Sequence, residues 1–163
     1  MRINSLKHLL FAAAFFATAA IAAEPTLSLK GQTIEGKPFD LASLRGKVVL
    51  VMFWSTECAV CRDKMPELRL NYEGWKKQPF ELVTVSLDRN LKDVDAYEKL
   101  IARLVPPGQR FIQMWSGEKG YADNVGKPAR LPLSFLIDKD GRTVERYMGR
   151  IPAEAWDRIA DLL

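Results

Sequence analysis

The stretch Lys47 to Phe53, KVVLVMF, constrains the fold more than any other part of the chain. It is nearly continuous in apolar and β-branched residues, with no polar alternation, and so suits a strand covered on both faces. Two further runs of this kind follow, Phe80 to Ser86 (FELVTVS) and Leu133 to Ile137. Between the first and second, Cys58 to Lys76 sets Val60, Met65, Leu68, Leu70 and Tyr72 among charged residues and reads as a helix. Between the second and third, Leu91, Val94, Tyr97, Leu100, Ile101 and Leu104 recur at helical spacing. Pro106, Pro107 and Gly108 then stop that helix. Phe111 to Trp115 reads as a short strand and Tyr121 to Val125 as a short helix. Asp138 to Gly141 is a hairpin turn, Arg142 to Met148 the returning strand, and Ala153 to Leu163 a closing helix. Pro25 to Gly46 is a small hairpin or irregular lead-in, ending in a helical turn at Leu41 to Leu44. Strands joined by helices imply parallel neighbours, and the last hairpin adds an antiparallel edge. The expected class is α/β, a mixed sheet sandwiched by helices, with an N-terminal hairpin extension.

The N-terminus has the form of an export signal. Arg2 and Lys7 form a positive region, Leu9 to Ala23 is an apolar run of 15 residues, and Ala20-Ile21-Ala22 has the small-x-small pattern of a cleavage site. A membrane-spanning helix needs roughly 20 apolar residues, so a retained anchor is the weaker reading. The expected organisation is a signal peptide over 1–23 and one domain over 24–163, exported to the periplasm of a bacterium. Loss of Arg2 and Lys7 takes the formal charge from +4 to +2. No basic block remains, so nucleic acid is not an expected partner. His8, the only histidine, leaves with the signal, and the working domain has no imidazole.

Cysteine occurs only twice, as Cys58 and Cys61 within FWSTECAVCRDKMPEL. A structural zinc site takes four ligands, and two cysteines without histidine supply half of one. Covalent haem needs C-x-x-C-H, and residue 62 is Arg. A copper centre of the His-rich kind lacks its ligands. No metal and no cofactor are expected. A purely structural disulfide closing so small a ring contributes only roughly 2 kcal/mol and ties no distant elements together. Placement favours redox chemistry. The strand ends just before the pair and a helix begins at it, which puts Cys58 at the helix N-terminus. There free N–H groups and the helix dipole stabilise a thiolate. Cys61, one turn in, is more buried and reaches back to close the disulfide.

The motif resembles the active-site segment of the thioredoxin superfamily, and most closely the exported TlpA/ResA-type thiol–disulfide oxidoreductases. Trp54 matches the aromatic residue that opens the family motif, Cys58 and Cys61 its nucleophilic and resolving cysteines, and Pro66 the proline within the active-site helix. GKVVLVMFW (46–54) and LPLSFLIDKDG (131–141) match the family's central strand and its P-x-x-F-L-I-D-x-x-G segment, and the lead-in GQTIEGKPFDLASLRGK resembles its N-terminal hairpin. The resemblance makes Pro132 the counterpart of the family's cis-proline, with Leu131–Pro132 cis and near Cys58. Glu57, Val60, Met52 and the pair Leu133-Ser134 depart from residues common in the family.

The resemblance implies a thiol–disulfide oxidoreductase with a thioredoxin-like fold. Its partners would be disulfide-containing exported proteins, as in cytochrome c maturation, with a membrane thiol-transporter as reductant, and the chain would act as a monomer. Trp54, Glu57, Leu131 and Pro132 are the residues expected to bind substrate or shape the site. A thiol peroxidase is the alternative enzyme, but the chain lacks a clear P-x-x-x-T-x-x-C pattern. A metal- or client-binding module is the non-enzymatic alternative. Arg62 and Lys64 read as a solvated helix face, and Trp75, Trp115 and Trp156 as packing.

Overall fold

A computed structural model describes residues 26–163. The N-terminal signal expected over 1–23 lies outside them. The chain runs through β1 (Leu29–Gln32), β2 (Pro38–Asp40), a 3-10 turn (Leu41–Leu44), β3 (Val48–Trp54), α1 (Ala59–Gly74), β4 (Phe80–Ser86) and α2 (Leu91–Leu104). A 3-10 turn (Pro107–Gln109), β5 (Ile112–Trp115), β6 (Ala122–Asp123), β7 (Leu133–Ile137), β8 (Thr143–Met148) and α3 (Glu154–Leu162) complete it.

The main sheet has the order β5-β4-β3-β7-β8. β3 is parallel to β4, with Trp54 opposite Ser86, and antiparallel to β7, with Phe53 opposite Leu133. Every residue of β3 is buried. Its alternating side chains enter two separate cores. Val48, Leu50, Met52 and Trp54 face Cys61, Met65 and Leu68 of α1 and Ala155 and Ile159 of α3, with Tyr97 of α2 packed alongside. Val49, Val51 and Phe53 face Leu29, Phe39 and Leu41 of the N-terminal hairpin and its 3-10 turn.

The α/β class stands as expected, with one difference in layering. The side chains that α1, α2 and α3 give to these cores all lie on the first face. The second face is covered by the small antiparallel sheet β2-β1-β6. Tyr121 to Val125 is not the helix expected. Asp123 Oδ1 accepts the backbone N–H groups of Val125 (2.7 Å) and Gly126 (3.0 Å), an Asx arrangement that competes with helix. The segment instead pairs with β1, Leu29 opposite Asp123.

Lys64 is also not on a solvated face. It is 4% exposed, and its Nζ lies 2.6 Å from Glu67 and 5.8 Å from the centre of the Trp156 ring. Trp156 Nε1 donates to the same Glu67 oxygen. Trp156 in turn packs on Trp75 (5.7 Å), so this cluster joins α1 to α3. Burial pushes the Glu67 carboxyl up, but the hydrogen bonds from Lys64 and Trp156 and the charges of Lys64 and Arg150 outweigh it and hold it below its ordinary 4.5. A depressed folded pKa gives stability that is present above about 4.5 and lost as pH falls through the folded value. Glu67→Gln should therefore be less stable than the parent at pH 7, by about 1 kcal/mol or less given solvent screening. The deficit should shrink as the pH is lowered through the folded value, as checked by urea midpoints measured from neutral to acid pH.

Candidate active site

The first segment after β3 turns sharply and is held by hydrogen bonds from both sides. Thr56 gives its backbone N–H to both carboxylate oxygens of Asp88 (3.0 Å each) and its hydroxyl to Oδ1 (2.7 Å). The Thr56 carbonyl accepts from Arg62 Nη1. Asp88 lies two residues past the end of β4, is 8% exposed, and also accepts from the Ser86 hydroxyl at 2.6 Å. Its own carbonyl accepts from Trp115 Nε1 at 2.8 Å, which ties in β5. A buried carboxylate is stable only when its lone pairs are satisfied, and here the satisfying donors are the groups that set the path of the loop.

That path delivers Cys58 to the N-cap of α1. Its backbone is extended (φ −79°, ψ 100°), and its sulfur accepts the N–H of Cys61 at 3.2 Å. Its own N–H donates to the Ser55 carbonyl at 3.1 Å, and its carbonyl accepts the Arg62 N–H at 3.1 Å. The first turn of α1 carries no acidic residue, so no neighbouring carboxylate there takes up the helix terminus. Cys58 and Cys61 form a disulfide, with Cα atoms 5.2 Å apart. The two sulfurs stand in different surroundings. Cys58 is half-buried, whereas Cys61 is wholly buried in the core beside Met65 and Leu68.

The other sequence-derived residues gather around this turn to different degrees. Because Phe53 pairs with Leu133, Pro132 lies at the end of β3 where the cysteine loop departs. The Leu131–Pro132 bond is cis, as the resemblance implied, and Pro132 is buried while Leu131 is half-buried. The Pro132 carbonyl accepts from Gly149 at 2.7 Å. Glu57 is exposed and shares with Leu131, Ser55, Leu87 and Asp88 a polar cleft of about 320 Å³. Trp54 is fully buried, its ring 4.9 Å from that of Tyr97, and contributes packing beneath the loop with no surface of its own. Pro66 sits inside α1 on an exposed face and removes the N–H that would have met the Arg62 carbonyl. Met52 is buried in the first core. Among the described residues no cluster of three or more His, Cys, Asp or Glu could hold a metal ion.

Asp88 is the residue at the candidate site that the motifs did not single out. Its signal lay in its position, since an acid two residues past a buried parallel strand falls at the carboxyl end of the sheet, where α/β sites form.

Residues 22–153 match the AhpC/TSA family. The chain belongs to that family. It is 33% identical over 120 residues to thiol-disulfide oxidoreductase ResA of Bacillus anthracis, a match that takes in 71% of this chain and 63% of that protein. The chain thus spans less than two thirds of the length of that relative. The crystal structure of a thiol:disulfide interchange protein of the thioredoxin family from Chlorobium tepidum TLS aligns with a TM-score of 0.68 at 27% identity, covering 88% of this chain and 97% of that one. StoA from Bacillus subtilis shares the fold at 22% identity, with a TM-score of 0.62 over 85% of this chain and 98% of its own. The thioredoxin-like architecture expected from the motifs is therefore present.

Asp88→Asn keeps the shape but turns amide hydrogens toward donors that need an acceptor. It should lower stability by about 1–3 kcal/mol. Thr56→Val, which removes only the hydroxyl bond, should lose about 1 kcal/mol. Guanidinium unfolding of both variants against the parent checks the order.

Proposed function

We propose that this protein is a thiol–disulfide oxidoreductase that reduces disulfides of exported partner proteins through Cys58 and Cys61. The observation that carries the reading is the unequal placement of one bonded pair, with Cys58 half-exposed at a helix N-cap and Cys61 wholly buried. The family and the relatives named as thiol–disulfide oxidoreductases support it.

In the reduced protein, Cys58 thiolate attacks one sulfur of the partner's disulfide. A mixed disulfide forms, and the partner's other sulfur leaves as a thiolate and takes a proton. Cys61, deprotonated, then attacks Cys58 Sγ and expels the partner's second thiolate. The partner gains two electrons and two protons, and the protein leaves with Cys58–Cys61 oxidised. A membrane thiol-transporter returns it to the dithiol. The helix terminus lowers the pKa of the attacking sulfur without a histidine. Pro132 and Leu131, at the end of β3, border the place where a partner's chain would lie.

The N-terminal sequence supports export to the periplasm, and no helix among the described residues is long and apolar enough to cross a membrane. Cytochrome c maturation is the task this reading favours, by resemblance, and the acting form is a monomer without cofactor.

Cys61→Ser should accumulate reductant-sensitive covalent complexes with exported proteins. Cys58→Ser should trap few or none and should lose disulfide-reductase activity. Parallel trapping with mass spectrometry of the captured proteins reads both the roles and the pathway; equal trapping by the two variants contradicts the assignment. Glu57, adjacent in sequence to Cys58, should disfavour a second negative charge there. Glu57→Gln should therefore lower the Cys58 pKa and make the disulfide more oxidising, as measured by thiol titration and by equilibration with glutathione.

A further inference from the structure

Arg69 of α1 is 4% exposed, yet among the described residues it takes part in no ion pair. Its Nη1 donates to the Gln109 carbonyl at 3.2 Å, and the guanidinium lies 4.7 Å from the centre of the Phe111 ring. Its buried Nη2 has no hydrogen-bond partner. A buried cation is normally matched by an anion or by a full set of acceptors, because the charged form otherwise loses its hydration without replacement. Arg69 has neither. Burial raises the pKa of Tyr97 and outweighs the guanidinium, which lies close enough to the hydroxyl for a hydrogen bond to pull it down, so Tyr97 supplies no charge to match the cation. Glu98 is an acid whose charge Arg69 feels, but that carboxyl stands beyond ion-pairing distance, and burial pushes it up toward the neutral form.

The unmatched cation lines a groove between α1 and α2 with a volume of about 400 Å³. The groove's walls are Met65, Pro66, Leu70, Tyr97, Ile101 and Val105, with Arg62 as a second cation, and no acid lines it. Leu70 is 63% exposed at the rim. The volume falls in the range of small-molecule sites, roughly 300–1,000 Å³, and the composition is the usual one of apolar walls with a few placed polar groups.

The geometry points to a binding site in this groove for a small amphiphilic carboxylate, an unbranched aliphatic acid whose carboxylate pairs with Arg69 and whose stem lies along Met65, Ile101 and Val105. Nη2 carries the unmatched donors for that carboxylate, since Nη1 is already bonded to the Gln109 carbonyl. Because Arg69 is so deeply buried, a slender free acid reaches it more readily than an acidic side chain fixed on a folded partner. None of the site's residues is Cys58 or Cys61, although Arg62 at its edge also holds the Thr56 carbonyl of the cysteine loop.

The test uses the full folded domain labelled with ¹⁵N and titrated with octanoate, with 1-octanol, and with an apolar tripeptide bearing a free C-terminus. Octanoate should bind saturably, with shifts concentrated on residues 62–70 and 97–109, and tighter than the alcohol. Arg69→Met should weaken octanoate about tenfold or more while leaving 1-octanol unchanged. Ile101→Trp, which fills the groove and keeps Arg69, should abolish both, and it serves as the second variant should Arg69→Met fail to fold. The site is overturned if octanoate does not saturate, if its shifts lie elsewhere, if neither variant changes its affinity, or if only the tripeptide binds.

Discussion

Burial of β3 on both faces governs the rest of the structure. A strand whose every side chain is removed from water cannot slip in register without exposing one core or crowding the other. Val48–Trp54 is therefore fixed against β4, β7, the helix layer and the hairpin layer together. The point where it ends is fixed too. Four residues later the chain is at Cys58, and Pro132, one residue beyond the Phe53–Leu133 pair, lies beside that exit. The candidate site inherits its geometry from this frame and from Asp88 at the end of the neighbouring strand, not from the small disulfide ring.

The parts of this fold that were readable from sequence are those where one physical preference dominates. KVVLVMF has no competing reading, since a seven-residue apolar and β-branched run is too short for a buried helix and lacks a polar face. The amphipathic period of Leu91 to Leu104 is equally plain, and α2 occupies those residues. The Cys58 N-cap follows from a strand and a helix meeting at one residue. Pro132 was found through resemblance, since no local rule distinguishes it from an edge-strand proline.

What sequence did not reveal depends on side chains with two opposed tendencies. Lys64 carries a charge but also a long aliphatic stem, and only the approach of Trp156 from α3 decides that the stem is buried. Tyr121 to Val125 has enough apolar residues for a helical turn, but the Asp123 carboxylate captures the backbone N–H groups that a helix would have used. Asp88 looks like an ordinary acid at a strand end until Thr56, 32 positions earlier, supplies its donors. The covering of the second sheet face by β1, β2 and β6 likewise depends on pairing between segments far apart in the chain.

The sulfur of Cys58 doubles as the N-cap of α1, accepting a backbone N–H. The same atom changes from a neutral disulfide sulfur to a thiolate when the bond is reduced, and an anion is the better acceptor at a helix start. Helix stability and redox state are thereby linked. By a closed thermodynamic cycle, the amount by which folding favours the dithiol over the disulfide equals the amount by which folding raises the reduction potential. About 1.4 kcal/mol of extra unfolding free energy in the reduced form corresponds to about 30 mV. Comparing the unfolding of the two redox forms would therefore read the shift that folding imposes on the disulfide's electron affinity without any electrode or redox buffer.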